Sequence, residues 1–162
     1  MFTMIAAVGE NREIGKDNGL LWKIPTDMKF FRETTKEHTI IMGRNTFESF
    51  GGRMLPKRKH IILTSKEKAS FPEECEVYAS IDEILSKYKD TDEEIFIIGG
   101  SQVYNSFYDY ADKMYITHVK AKFPEADTFF PEIHNQDWNK KVLKYIDENG
   151  YKAEITEYKR KK

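Results

Sequence analysis

Up to Tyr108 the chain consists of short apolar runs separated by turn residues, and beyond Asp112 strict alternation takes over. Phe2-Thr3-Met4-Ile5-Ala6-Ala7-Val8 is apolar at almost every position, which predicts a strand covered on both faces and central in its sheet. Residues 9–19 carry Gly9, Asn11, Gly15, Asp17, Asn18 and Gly19, turn chemistry over a stretch long for a simple connection. Ile14, Leu20, Leu21 and Trp22 are too apolar for a loop that stays in water, so this stretch reads as a lid. A helix is predicted to open at Pro25, whose preset φ suits a first helical position. Ile24, Asp27, Met28 and Phe31 then share one face, continued by Thr34 and Thr35.

Asp27 is the odd member of that stripe. It is open to two readings at this point. A carboxylate in a first turn complements the helix dipole, worth about 0.3–1 kcal/mol. Held in an apolar cleft, the same group would bind a planar cationic ring, because burial raises its pKa and a ligand cation offsets that cost.

Thr39-Ile40-Ile41-Met42-Gly43 is a short buried strand, residues 44–50 a short helix, and Gly51-Gly52 its end. Residues 56–59 turn into a third strand, residues 60–64. Val77-Tyr78-Ala79 is a weak strand, and Ile81, Ile84, Leu85 and Tyr88 have helical spacing. An acidic turn at 90–94 leads into Glu94-Ile95-Phe96-Ile97-Ile98, then Gly99-Gly100 and a helix from Ser101 to about Tyr108. Apolar strands alternating with helices predict βαβ units and a parallel sheet. Residues 113–120, 140–145 and 151–158 alternate with period two, and Asp147-Glu148-Asn149-Gly150 between the last two is a hairpin signal. The expected α/β architecture is a mainly parallel twisted sheet flanked by helices, with an antiparallel C-terminal edge hairpin. No linker or repeat divides it, so residues 1–162 are expected to form a single domain.

Composition narrows the setting. With 162 residues, 40% hydrophobic and 14% aromatic, the chain can bury a sizeable core. A net charge of −1 gives no field pointing to nucleic acid or a membrane, and the Lys-Arg-Lys-Lys end is a solvated tail. Cys75 is the one cysteine, which excludes an intramolecular disulfide and suits a reducing compartment. No apolar run approaches the roughly 20 residues that span a bilayer, and Phe2–Val8 is too short for a signal segment. A soluble cytoplasmic monomer is the expectation.

Several chemistries drop out. His38, His60, His118 and His134 are scattered without metal-ligand spacing. G-x-S-x-G, the phosphate loop G-x-x-x-x-G-K-[ST] and G-x-G-x-x-G are all absent. Two strand-to-helix junctions remain. Gly99-Gly100 lets backbone approach a ligand where a helix opens, or simply makes a tight turn. At Gly43-Arg44, the guanidinium would clamp a phosphate with Thr64-Ser65-Lys66 nearby, or stand as a solvated cation. The Gly43, Thr64 and Gly99 junctions all fall at carboxyl ends of parallel strands, the rim where such sheets bind ligands.

These residues fall into a series: Ile5-Ala6-Ala7, Ile14-Gly15, Leu20-x-Trp22-x-Ile24-Pro25-x-Asp27, Ile41-Met42-Gly43-Arg44-x-Thr46-x-x-Ser49, Leu55-Pro56-x-Arg58, Ile98-Gly99-Gly100-x-x-Val103-Tyr104 and Asp127-Thr128-Phe129-Phe130-Pro131. In order and over nearly the whole chain, the series resembles dihydrofolate reductase. The resemblance implies an eight-stranded sheet, NADPH as hydride donor and 7,8-dihydrofolate as acceptor, with antifolate inhibitors competing for the same pocket. It assigns Asp27 to the pteridine N3 and 2-amino group, Thr117 to the hydroxyl backing that carboxylate, and Trp22 to an ordered water beside it. Ile5, Ala6, Ala7, Met28 and Phe31 match positions lining the pterin and aminobenzoyl pocket. So do Ser49, Phe50, Arg53, Leu55 and Ile98. Arg58 matches the arginine that takes the α-carboxylate of the glutamate tail.

For the cofactor, the resemblance puts Ala7, Ile14, Gly15, Lys16, Asn18, Gly19 and Leu20 near the nicotinamide. It puts Gly43, Arg44, Asn45, Thr46, Leu63, Thr64 and Ser65 on the adenosine and pyrophosphate side, with Arg44 and Ser65 at the 2′-phosphate. Gly99, Gly100, Ser101, Gln102 and Val103 match the pyrophosphate turn, which carries a cis Gly–Gly bond in the family, Ile98 before it also matches a cofactor position, and Tyr104 matches a ring beside the nicotinamide. Leu21 stands where proline is usual, Leu20 where methionine is frequent, Ala126 where glycine usually precedes Asp127, and Gln102 where a cation is frequent. The expected mechanism has Asp27 orienting and polarising the pterin while water admitted near Leu20 protonates N5. Two rivals demand less of the sequence. A pyrimidine reductase of riboflavin synthesis would not require Arg58 together with the Trp22-to-Asp27 element. A non-catalytic nucleotide module would keep Arg44 and Gly99 without needing Asp27, Thr117 or Trp22.

Overall fold

The computed structural model describes residues 1–15 and 21–162. Its eight-stranded sheet runs in the order β5-β4-β3-β6-β1-β7-β10-β9, formed by β1 (Phe2–Val8), β3 (Thr39–Gly43), β4 (Lys59–Leu63), β5 (Glu76–Tyr78), β6 (Ile95–Ile97), β7 (Ala111–Val119), β9 (Trp138–Glu148) and β10 (Tyr151–Arg160). From β5 to β7 every pairing is parallel, and β10 and β9 join antiparallel. The mainly parallel sheet and its antiparallel edge hairpin are as the periodicity predicts. β1 is central, between β6 and β7, because both its faces are apolar: Phe2, Met4, Ile5 and Val8 are all buried.

Helices α1 (Pro25–Thr35), α2 (Arg44–Ser49), α3 (Ile81–Tyr88) and α4 (Ser101–Phe107) fill the predicted crossovers. Two core clusters flank the parallel strands, one around Met4, Ile97, Val103 and Phe107, the other around Ile5, Met42, Phe47 and Ile98. The β9–β10 turn is Asn149-Gly150, with φ of 53° and 81°. Positive φ at both central residues is what a tight two-residue hairpin requires. Among the described residues no helix is long and apolar enough to cross a membrane.

The structure departs from expectation after β1. Part of the predicted lid loop is a strand, β2 (Glu13–Gly15), paired antiparallel with β8 (Thr128–Phe129) in a small second sheet. Three and two residues are too few for a periodic pattern to register. Glu13 is buried there, and its carboxylate accepts the N–H of Asn11 at 2.5 Å and of Phe123 at 2.6 Å. Lid residues 16–20, with Lys16, Asn18, Gly19 and Leu20, lie outside the described residues.

Candidate active site

Asp27 reaches its place through the start of α1. Ile24 precedes the helix in extended conformation and offers no side-chain cap. The cap comes from the far hairpin: Glu148 accepts the Thr26 N–H at 2.8 Å and the Thr26 hydroxyl at 2.7 Å, while Asn149 Nδ2 donates to the Lys23 carbonyl at 3.1 Å. These bonds to Thr26, side chain first, hold the Glu148 carboxyl below its ordinary pKa. Ile24 is buried beneath the helix among Trp22, Val119, Phe123 and Ile155.

From that anchored first turn, Asp27 Oδ1 accepts the Thr117 hydroxyl at 2.5 Å. Thr117 sits near the carboxyl end of β7, directly beside Ala7 of β1. Burial raises the Asp27 pKa, and the Thr117 bond opposes that only in part. Such a carboxylate gains from a cationic hydrogen-bond donor laid against it. Tyr104 donates to the Ile5 carbonyl at 2.7 Å, and its phenol is pushed up by burial first and by the charge of Asp27 second. Asp27, Thr117, Ile5, Ala7 and Tyr104 therefore converge at the carboxyl ends of β1 and β7.

Beside them lies the second cluster's apolar wall. Ile5 and Ile98 are buried, with Phe31, Phe50 and Leu55 packed against the same group. Met28, predicted to share the α1 stripe, is 39% exposed. Ser49 is exposed and donates to the Thr46 carbonyl at 2.5 Å, and Arg53 is exposed. Arg58 is held at the end of α1: Nε donates to Thr35 Oγ1 at 2.9 Å, Nη2 to the Arg32 carbonyl and Nη1 to the Pro56 carbonyl, each at 2.7 Å. Five N–H groups minus those three leaves, among the described residues, one on each terminal nitrogen, enough for a carboxylate.

The other half of the rim is bare backbone. Gly99–Gly100 is a cis peptide, and the Gly43 N–H donates to the Gly99 carbonyl at 2.9 Å, tying the β3 and β6 ends together. A Cβ on Gly43 would meet Val103 Cγ2 at 3.2 Å. One on Gly99, at φ +121°, would meet the Tyr104 ring at 3.4 Å, and one on Gly100 would face Thr46 Oγ1 at 3.7 Å. Val103 and Tyr104 are buried, while Gln102 and Asn45 are exposed. Arg44 is paired through Nη1 with Glu48 one turn on, at 2.8 Å. Thr64 Oγ1 accepts the Lys66 N–H at 3.2 Å, and Ser65 is exposed. Leu63 and Ile14 pack against the first core cluster.

A surface cavity of about 480 Å³ lies elsewhere, at the amino ends of β1 and β7, lined by Met1, Phe2, Asp82, Lys89 and Asp112 among others. None of the converging groups faces it. Sequence reasoning missed Thr35 as a partner of Arg58, although it lay on the α1 stripe. It also missed Glu148, because nothing local marks a hairpin residue as the cap of a helix more than a hundred positions away.

A family model described as dihydrofolate reductase matches residues 1–160. The dihydrofolate reductase of Staphylococcus haemolyticus is 41% identical over 156 residues, which cover 96% of this chain and 89% of that protein. That of Bacillus subtilis is 44% identical over 138 residues, 85% of this chain and 80% of the relative. A solved dihydrofolate reductase from Enterococcus faecalis, complexed with NADP(H) and RAB-propyl, superposes with a TM-score of 0.89 at 38% identity, covering 100% of this chain and 97% of that one.

Proposed function

The chain belongs to the dihydrofolate reductase family, and from that premise we propose that it reduces 7,8-dihydrofolate to 5,6,7,8-tetrahydrofolate with NADPH, feeding one-carbon metabolism. The observation that carries the reading is the half-buried Asp27, its pKa raised by burial, hydrogen-bonded to Thr117 beside a turn stripped of side chains.

The residues present fit the cofactor, because the β3 and β6 ends meet in a glycine turn, Gly99–Gly100 tied to Gly43, that carries no side chain to hold a diphosphate off the backbone. Gly99, Gly100, Ser101, Gln102 and Val103 would hold the pyrophosphate with Thr46. Arg44, Asn45, Leu63, Thr64 and Ser65 would take the adenosine side, with Arg44 and Ser65 at the 2′-phosphate. Ala7, Ile14, Gly15, Ile98 and Tyr104 would border the nicotinamide. When bound, NADPH supplies the hydride that the reaction adds at pterin C6.

Asp27 grips the pteridine edge carrying N3 and the 2-amino group through the oxygen that Thr117 leaves free among the described residues. Its charge orients and polarises the ring, and solvent delivers the N5 proton. Ile5, Ala6, Phe31, Phe50, Leu55 and Ile98 line the ring and aminobenzoyl group, with Met28, Ser49 and Arg53 at the margins, while buried Trp22 keeps an ordered water beside Asp27. Arg58 receives the glutamate α-carboxylate. The same raised-pKa carboxylate suits antifolates, flat heterocycles that bind protonated. The lone cysteine, buried Cys75, supports a cytoplasmic setting, and we read the working unit as a monomer.

Purified protein mixed with NADPH and dihydrofolate should consume the reduced-nicotinamide absorbance only when both are present. Stable absorbance under those conditions refutes catalysis and leaves the nucleotide-module reading standing.

A further inference from the structure

We propose that His60 is a positioning residue for recognition of the substrate's glutamate tail: its imidazole clamps the turn at 55–58 so that Leu55 and Arg58 are already placed when the tail arrives. The inference rests on the assignment of Arg58 to the tail carboxylate made above.

His60 lies in β4 and is wholly buried, between Ile61 and a turn rich in exposed residues. Both ring nitrogens are spent on that turn. Nε2 accepts the Leu55 N–H at 2.9 Å, and Nδ1 lies 3.1 Å from the Arg58 carbonyl. An amide N–H can only donate, so Nε2 carries the lone pair and the proton sits on Nδ1, which donates to the carbonyl. One neutral tautomer satisfies both ends of the turn at once. The Phe47 ring packs edge-on against the imidazole, centroids 6.3 Å apart, which fixes its plane.

Between those two bonds the chain runs through Pro56 and Lys57, the latter at φ +60°, a conformation few side chains adopt unaided. The Glu37 N–H donates to the Lys57 carbonyl at 2.9 Å. His60 therefore fixes the Arg58 backbone while Thr35 and the Arg32 carbonyl fix its guanidinium. A leucine or isoleucine would satisfy the core as Ile61 and Ile62 do. What an apolar residue could not do is hold the ends of a turn whose two forward-facing members are a substrate wall and a cation. Burying a polar ring is costly unless both its bonds are made, and here both are made to this turn.

The test uses the intact enzyme and two substrates, dihydrofolate and a 7,8-dihydropterin lacking the aminobenzoyl-glutamate tail. His60→Leu should raise KM for dihydrofolate about tenfold by loosening Arg58, with kcat little changed and the tail-less pterin affected far less, through Leu55 alone. His60→Gln keeps an acceptor within reach of the Leu55 N–H and should recover part of the loss. If the leucine variant does not fold, the glutamine variant carries the same comparison, with a smaller rise confined to dihydrofolate. Equal effects on both substrates, or an unchanged dihydrofolate KM in a folded variant, would overturn the proposal. Arg58→Leu is the reference: if it spares the dihydrofolate KM, the tail assignment itself is wrong, and the inference falls with it.

Discussion

On the α1 side of the candidate site the working group is a side chain, whereas on the α2 and α4 side it is backbone without side chains. Asp27 pays a desolvation cost that raises its pKa, and the Thr117 hydroxyl answers it in part. Gly43, Gly99 and Gly100 present backbone instead, where an added carbon would meet Val103, the Tyr104 ring and Thr46 at 3.2, 3.4 and 3.7 Å. The first half holds unspent electrostatic potential for a cationic ring edge. In the proposed function, the second would offer bare backbone to a charged, flexible diphosphate. On that proposed reading, one would select its ligand by charge at a point, the other by shape along a surface.

The largest effect that would sharpen this contrast is on turnover. Asp27→Asn should lower kcat/KM for dihydrofolate by about a hundredfold or more at neutral pH, with partial recovery in acid, where the substrate arrives protonated. NADPH binding, followed by fluorescence, should change little. The same substitution should stabilise the ligand-free protein. A raised folded-state pKa means that ionised Asp27 opposes folding at neutral pH, and that penalty vanishes as pH falls below the ordinary carboxylate range. Melting curves across pH should show the variant ahead near pH ~7 and level with the parent below pH ~3.5. A variant that melts lower at neutral pH would contradict the burial argument.

A smaller effect, of the opposite kind, is expected at the backbone half. Gly99→Ala at φ +121° should cost about 1–3 kcal/mol of stability and raise KM for NADPH more than KM for dihydrofolate. Denaturant unfolding and paired steady-state titrations measure the two. Smallest is Glu148→Gln, which weakens the hairpin's hold on Thr26. Because the folded Glu148 pKa is lowered, its stabilisation is present above the ordinary carboxylate pKa and fades as pH falls through the lowered value. The variant should melt slightly below the parent at neutral pH and converge with it in acid. A gap that widens in acid would remove Glu148 from the account.

Much of this was legible before any fold was in hand. The strand centres at Met4, Ile41, Ile61 and Ile97, the Pro25 helix start and the Asn149-Gly150 turn each follow from a local rule, and each appears where that rule puts it. The β2–β8 pair was not legible, being too short to have a period and held by burial of Glu13 rather than by apolar spacing. Asp27 was ambiguous for a similar reason. Its position in a first turn suits a dipole partner or a ligand carboxylate equally well, and only Thr117, 90 positions away, separates them.

What the chain's order of residues determined alone was the alternation of elements, the apolar set that fills the core, and the glycine positions where backbone is exposed. Those depend on neighbours within a few positions, where period and turn chemistry act. Tertiary structure decided which polar groups do specific work: that Glu148 caps α1, that Thr117 meets Asp27, that His60 holds the turn before its own strand. A hydrogen bond depends on distances of a few tenths of an ångström between groups far apart in sequence, and no local pattern encodes that meeting.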